Sequence, residues 1–496
     1  MRNIQISMNQ EKGLFPSSIQ NCVGAGRANE LLRKAALDQL EETHRECGFR
    51  YLRFHGLLHE DMGVYDEKAD GTPIYNFQYI DMLYDEILRI GMKPFVELSY
   101  MPQAMASGTQ LLFWWKTNVS PPKDNKKWGM LIYRLTEHWL QRYGDQEVSS
   151  WYFEIWNAPN HPSFFSGTME EYFRMYDEAA RAIKSVSSSF RVGGPASAGL
   201  GFIPQLIAHC AENYVPLDFI STHLYGVEGD FDEFGVKQLY LVKNDNSIAD
   251  GLRLARKQIR ESAMPQLELH ITEWSSSYSS RDAIHDSYIE ASYILYNLKR
   301  CCHLADSLSY WTFTDIFEEV GIGPEPFHGG FGLMNMQSIK KPAYHAYAFL
   351  HQLGPVELEC ADENTFACKT NGNQGTQILF WSYQRPEQDA PNQIYFRRDL
   401  PIQERGEDVT ISISGLEPGY YRFRHYQTGY GIQDPYTEYL KAENNLEDFQ
   451  SIEHLRRCSD GSCRREEIVE VGKTGVWKIA MKQRMYDCQL VTLEKI

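Results

Sequence analysis

The chain has 496 residues and a formal charge of −17, from 49 Lys+Arg against 66 Asp+Glu. That acidity, with no basic run to offset it, excludes nucleic acid as a partner and repels acidic polymers unless a local basic pocket receives them. The length is too great for one ordinary core and suits a large barrel plus a smaller domain. Its 43% hydrophobic and 23% charged residues are a globular composition.

The N-terminus, Met1-Arg-Asn-Ile-Gln-Ile-Ser-Met8, lacks the apolar core of a signal peptide, and no stretch of 18 apolar residues follows. The expectation is a soluble, unsecreted, cytoplasmic protein with no membrane partner. The 10 Cys are scattered. Cys301-Cys302 lies on a helical pattern, and apart from it only Cys458 and Cys463 lie close together, in a Ser-Asp-Gly turn without partners at zinc spacing, so free thiols are expected.

From about residue 18, short apolar runs alternate with amphipathic stretches. Strands are expected at Ile19–Val23, Tyr51–His55, Pro94–Leu98, Trp151–Trp156, Arg191–Gly193, Leu217–Ser221, Leu267–Thr272 and Leu308–Thr312. Helices are expected at Leu31–Cys47, Ile80–Ile90, Met130–Tyr143, Met169–Val186, Ile248–Ser262 and Ile284–Cys302. Eight strands with helices between them predict an α/β fold, a (β/α)8 barrel, over 15–353. Gly24-Ala-Gly26 runs on into Arg27 and Ala28, which is no dinucleotide fingerprint.

Pro342–Leu353 reads as a closing helix, after which the texture changes. Gln377–Tyr383, Asp408–Ile413, Tyr420–His425 and Val476–Ala480 are short alternating runs between turn residues. They predict a C-terminal β-sandwich over 354–496, to which residues 1–14 add a strand.

In a (β/α)8 barrel, chemistry collects at the C-terminal ends of the strands. Strand four runs Trp151-Tyr-Phe-Glu-Ile-Trp156 and stops at Asn157-Ala158-Pro159, since proline cannot continue the ladder. Strand seven ends in Glu273, and a lone carboxylate after a buried strand is costly unless paired or functional. The second and sixth strands end in His55 and in His223-Leu-Tyr225. The eighth ends in Trp311, with Glu318 and Glu319 in its loop. Each residue alone is accounted for as a satisfied structural group, and Glu318-Glu319 as a solvated loop. Their convergence on one barrel mouth points instead to a site.

These strand ends resemble those of clan A glycoside hydrolases, in which Asn-Glu-Pro ends strand four and Glu ends strand seven. More narrowly, the chain resembles glycoside hydrolase family 39, the family of β-xylosidases and α-L-iduronidases. The likeness rests on Cys22-Val-Gly-Ala-Gly-Arg27, Arg53-Phe-His-Gly-Leu-Leu58, Ser120-Pro-Pro122, Phe153-Glu-Ile-Trp-Asn157, Ser221-Thr-His-Leu-Tyr225, Thr272-Glu-Trp274 and Phe317-Glu-Glu319. It implies a retaining double displacement with Glu273 as nucleophile, with no cofactor or metal. It further implies that Asn157 holds the sugar 2-hydroxyl, with His55, His223, Tyr225, Trp311, Glu318 and Glu319 around the bound sugar. Tyr225 would orient Glu273 by a hydrogen bond. The implied substrate is a β-linked xyloside or xylo-oligosaccharide, cleaved from the non-reducing end. Glu318-Glu319 would repel a uronate and so argues against an iduronidase. A homo-oligomer is left open.

One position departs from the family: its acid/base Glu falls on Ala158, whose methyl group cannot move a proton. Glu154 has the same strand parity but lies four residues upstream, about 13 Å deeper at strand rise. Three accounts of Ala158 remain. A deliberate Glu→Ala change, made to trap a substrate complex, is favoured because the rest of the site is intact. A natural pseudoenzyme that binds sugar without cleaving it is the second, and substrate-assisted catalysis the third.

Overall fold

The computed structural model describes residues 2–231, 234–372, 374–399, 406–442 and 449–496. Eight strands form the barrel: β1 (Cys22–Arg27), β2 (Tyr51–His55), β3 (Lys93–Leu98), β4 (Tyr152–Ile155), β5 (Arg191–Ala198), β6 (Phe219–Tyr225), β7 (Glu268–Ser275) and β8 (Ser307–Tyr310). They pair in parallel, each with its neighbour in sequence, and β8 closes onto β1. The architecture is a (β/α)8 barrel with a β-sandwich beside it.

Helices α1 (Lys34–Cys47), α2 (Gln78–Ile90), α3 (Asn125–Tyr143), α4 (Met169–Val186), α5 (Ile203–Asn213), α6 (Ser247–Arg260), α7 (Tyr288–Cys301) and α8 (Pro342–His351) surround the strands. Their boundaries follow local chemistry. Thr168 caps α4 in a reciprocal capping box with Glu171. Helix α1 stops at Gly48 and α2 at Gly91, both in the left-handed conformation that glycine adopts at low cost.

Several expected boundaries moved. Ile19 sits in a 3-10 turn, Ser17–Gln20, and β1 begins at Cys22 and runs through Gly24 and Gly26. Glycine is needed at 24 because a β-carbon there would lie 2.3 Å from Cε3 of Trp311. The 284–287 region is a 3-10 turn (Ala283–Asp286) before α7. Helix α5 was not anticipated, since its 11 residues carry Pro204 near the start and follow Phe202 at φ 63°. Two short strands after β6, Val227–Phe231 and Lys237–Leu241, form an equally unanticipated hairpin.

The sandwich has a three-stranded sheet and a seven-stranded sheet. Arg2–Ser7 pairs in parallel with Glu407–Ser414, setting Ile4 opposite Ile411. Glu11–Leu14 pairs with Val356–Leu358 in the larger sheet. Ile4, Ile6, Phe380, Ile411, Phe423 and Leu493 fill the space between the sheets, as inward-facing alternate positions must. Phe366, Trp381 and Leu490 instead belong to the same apolar cluster as the barrel core. All ten cysteines are unpaired. Among the described residues no helix is long and apolar enough to cross a membrane.

Candidate active site

The β4 strand stops at Ile155, and the chain then enters two left-handed residues, Trp156 at φ 75° and Ala158 at φ 48°. Positive φ in a non-glycine residue is uncommon and costs on the order of 1–3 kcal/mol, so the surroundings must impose it. They do so through hydrogen bonds: Ala158 N–H donates to Ala196 O at 2.8 Å, and His161 N–H to Ala158 O at 3.0 Å. The lip of β4 is thereby tied to the end of β5.

Beneath that lip lies a cavity of about 590 Å³, lined by His55, Asn157, Ala158 and His223. Tyr225, Glu273, Trp311 and Glu319 complete the set of expected residues that face it. Glu318 does not. It turns away to Arg33 at 2.6 Å and Arg27 at 3.3 Å, because consecutive side chains of this irregular stretch face opposite ways. Placing Glu318 around the sugar is therefore corrected.

Glu273 is held on every side. Arg53 Nη1 lies 2.9 Å from Oε1, and Tyr225 donates to Oε2 at 2.7 Å. His223 Nδ1 stands 3.4 Å from Oε2 and His55 Nε2 3.6 Å from Oε1. Burial alone would raise the carboxyl, but His223, Arg53, His55 and the Tyr225 hydrogen bond outweigh it and hold Glu273 at about 2. Burial drives His223 down to about 3, so at neutral pH it is an uncharged imidazole. The lasting positive charge beside Glu273 is then that of Arg53. His223 Nε2 has no protein partner, which leaves it available to a hydroxyl of a bound molecule.

Arg53 was not singled out from the sequence, yet it organises the floor. It is fully buried and reaches Glu97 at 2.7 Å, Glu154 at 2.6 Å, Glu273 at 2.9 Å and Asn157 Oδ1 at 2.9 Å. A charged residue in the middle of a buried strand must be paired, and that was the available signal. Asn157 also donates from Nδ2 to the Tyr100 hydroxyl at 3.1 Å, so its amide is fixed with one N–H to spare. Glu154 is clamped on Arg53 below the cavity, outside its lining. It has no route to a reacting group.

The loop carrying Glu319 is anchored by Lys341, buried between Asp286 at 2.6 Å and Asp315 at 2.7 Å. Burial, then the charges of Glu273, Glu30 and Glu97, push Glu319 above the usual carboxylate range. Glu318 is neutralised by its arginines. Of the pair, only Glu319 faces the cavity. Among the described residues no cluster of His, Cys, Asp and Glu could hold a metal ion.

A parallel barrel that brings a buried glutamate near the end of β7 and an Asn-turn after β4 to one cavity has the arrangement of the (β/α)8 glycoside hydrolases that the sequence resembles. The family described as Glycosyl hydrolases family 39 matches residues 2–381, and the chain belongs to it. A β-xylosidase of Caldicellulosiruptor saccharolyticus is 43% identical over 382 residues, 76% of this chain and 77% of that one. A β-xylosidase of Geobacillus stearothermophilus is 43% identical over 349 residues, 68% of this chain and 69% of that one. The structure of a monomeric β-xylosidase from Caulobacter crescentus CB15 superposes with a TM-score of 0.95 at 36% identity, covering 100% of both chains.

Proposed function

We propose that this chain is built as a retaining, exo-acting β-xylosidase that releases xylose from the non-reducing ends of xylo-oligosaccharides. Glu273 is its nucleophile, and Ala158 stands where the acid/base carboxylate belongs. The observation that carries this reading is the state of Glu273. It is ionised, buried and oriented by Arg53 and Tyr225, in the same cavity that the methyl of Ala158 faces.

In the first step a Glu273 oxygen attacks C1 of the terminal xylose, the glycosidic bond breaks, and a xylosyl–Glu273 ester forms. The free N–H of Asn157 meets the sugar 2-hydroxyl, an interaction that strengthens as C1 acquires positive charge. In the second step water attacks C1 and Glu273 leaves as carboxylate. Both steps need a proton moved on the Ala158 side, to the departing oxygen and then from the water. With alanine there, the rate falls about 10²–10⁴-fold, most for leaving groups that need protonation.

The intact surroundings of Glu273 favour one replaced carboxylate over a pseudoenzyme. A uronate glycone, as an iduronidase would require, needs a free cation beside Glu273. The guanidinium there, that of Arg53, is already engaged by three carboxylates.

The test uses an aryl β-xyloside with an acidic phenol. The chain as it stands is expected to form the xylosyl ester, and azide is expected to speed turnover and give β-xylosyl azide. If azide brings no acceleration and no β-xylosyl azide, the assignment at Ala158 is wrong. Ala158→Glu is expected to recover hydrolysis of xylobiose, with the two carboxyls about 5–5.5 Å apart. An inert revertant would favour the sugar-binding pseudoenzyme.

A further inference from the structure

We propose that Lys237 makes the mouth of this cavity a binding site for a carboxylate-bearing sugar on the leaving-group side. The preferred substrate class is then an acidic xylo-oligosaccharide whose second residue carries a uronate. The inference rests on the xylosidase reading and extends it to the aglycone.

The hairpin after β6 pairs Val227–Phe231 with Lys237–Leu241, and both Val227 and Lys237 line the cavity. Among the described residues lining it, Lys237 is the one lysine or arginine. It is exposed, whereas His55 and Glu273 on the floor are only 2% and 7% exposed, so Lys237 belongs to the mouth. In an exo-acting pocket the terminal sugar fills the floor and the leaving group fills the mouth. Lys237 therefore faces the aglycone.

Its placement is built into the hairpin. A β-carbon on Gly229 would lie 2.4 Å from Cε of Lys237, so the lysine stem rests on bare backbone across the strand pair. No ion pair joins Lys237 to a carboxylate of the described residues, although the chain carries a net charge of −17. Of the nearby acids, Glu318 pairs with Arg27 and Arg33, Glu319 lies beside His55 Nε2, and Glu228 and Asp230 stand exposed on the facing strand of the hairpin.

A second, smaller hollow of about 150 Å³ adjoins the first through Lys237 and is lined also by Arg281. The Arg281 guanidinium donates to backbone carbonyls, Ser280 O at 2.8 Å and Gly321 O at 2.9 Å. Asp282, its acidic lining residue, is taken up by Asn392 Nδ2 at 2.8 Å. Tyr278, half exposed on the cavity wall and edge-on to Tyr225 at 6.1 Å, offers the aglycone ring a stacking face. Among the described residues, the mouth thus presents Lys237 and Arg281 without a carboxylate ion pair, beside the Tyr278 ring.

The Ala158 chain permits a binding test without turnover. Calorimetric affinities would be compared for xylobiose and for xylobiose bearing a glucuronate on its reducing-end xylose. The acidic ligand is expected to bind about tenfold tighter, the worth of one charge-assisted hydrogen bond. The ratio between the ligands should fall to about one in Lys237→Gln and in 0.5 M salt, and should persist in Lys237→Arg. Gly229→Val, which displaces the stem without removing the charge, should also lower it. Equal affinities in the starting chain, or an advantage that survives Lys237→Gln, would overturn the proposal and leave the xylosidase reading standing. If neither ligand binds, both readings fall.

Discussion

Arg53 Nη1 meets Oε1 of Glu273 at 2.9 Å, and the same guanidinium also holds Glu97 and Glu154. One cation beneath the cavity thus serves three carboxylates. Replacing Arg53 with methionine leaves these acids buried without their shared partner, a kind of loss that costs about 3–5 kcal/mol. Denaturant unfolding should show a midpoint shift of that size. A variant as stable as the parent would mean that the acids protonate at little cost and that Arg53 does not secure the floor.

Tyr225→Phe removes the hydrogen bond to the ionised form of Glu273 and nothing else of size. In the Ala158→Glu background, kcat/KM should drop roughly tenfold or more, the worth of a hydrogen bond to a charged group. The acidic limb of its pH profile should also move to higher pH. The sign follows from Glu273 lying at about 2: removing a donor to the carboxylate weakens the ionised form. An acidic limb that stays in place would assign Tyr225 to substrate contact alone.

Gly24→Ala drives a methyl group into the Trp311 indole, since the added carbon would sit 2.3 Å from Cε3. Overpacking of this kind costs about 1–3 kcal/mol. Because Trp311 lines the cavity, xylobiose affinity should fall together with stability. A calorimetric titration beside a thermal melt separates the two effects, and unchanged affinity would show that the indole yields without leaving its place.

His345 is buried, with Nε2 2.9 Å from Ser459 Oγ, and burial pushes it from 6.5 down to about 3. Below about pH 6.5 the unfolded chain binds a proton that the folded chain refuses. The stability from this group is therefore full above that pH and is lost as pH falls toward 3, by up to about 1.4 kcal/mol per unit. Glu30 and Glu290, raised to about 7 by burial, act in the opposite sense as pH rises from 4.5. The difference between parent and His345→Gln isolates the histidine. The variant's melting temperature should decline less steeply between pH 6.5 and 4, and parallel profiles would contradict the assignment.

The barrel was legible because a strand buried on both faces must be apolar along its length, and eight such runs alternate with one-faced helices. Glu273 and Asn157 were legible for a related reason, since each breaks an apolar run where a strand meets the mouth, whereas Ala158 stood out only against the family's pattern. Arg53 was overlooked because it lies inside its run rather than at its end. The hairpin bearing Lys237 was overlooked because its strands are short and interrupted by glycine. The placing of Glu318 failed because adjacent loop residues face opposite ways, and loop direction has no periodicity from which to read it.

By itself, then, the sequence determined the barrel and sandwich, since those follow from the spacing of apolar residues along the chain, and it put polar residues at the strand ends. Tertiary structure alone decided which charges are alive. Glu273 is held ionised, Glu319 is shifted upward and Glu318 is paired because of what burial and contacts from distant parts of the chain set beside them. Those neighbours lie up to 291 residues away along the chain, as Arg27 does from Glu318. Proximity of that kind has no local signature, and it leaves Lys237 as the cation at the cavity mouth.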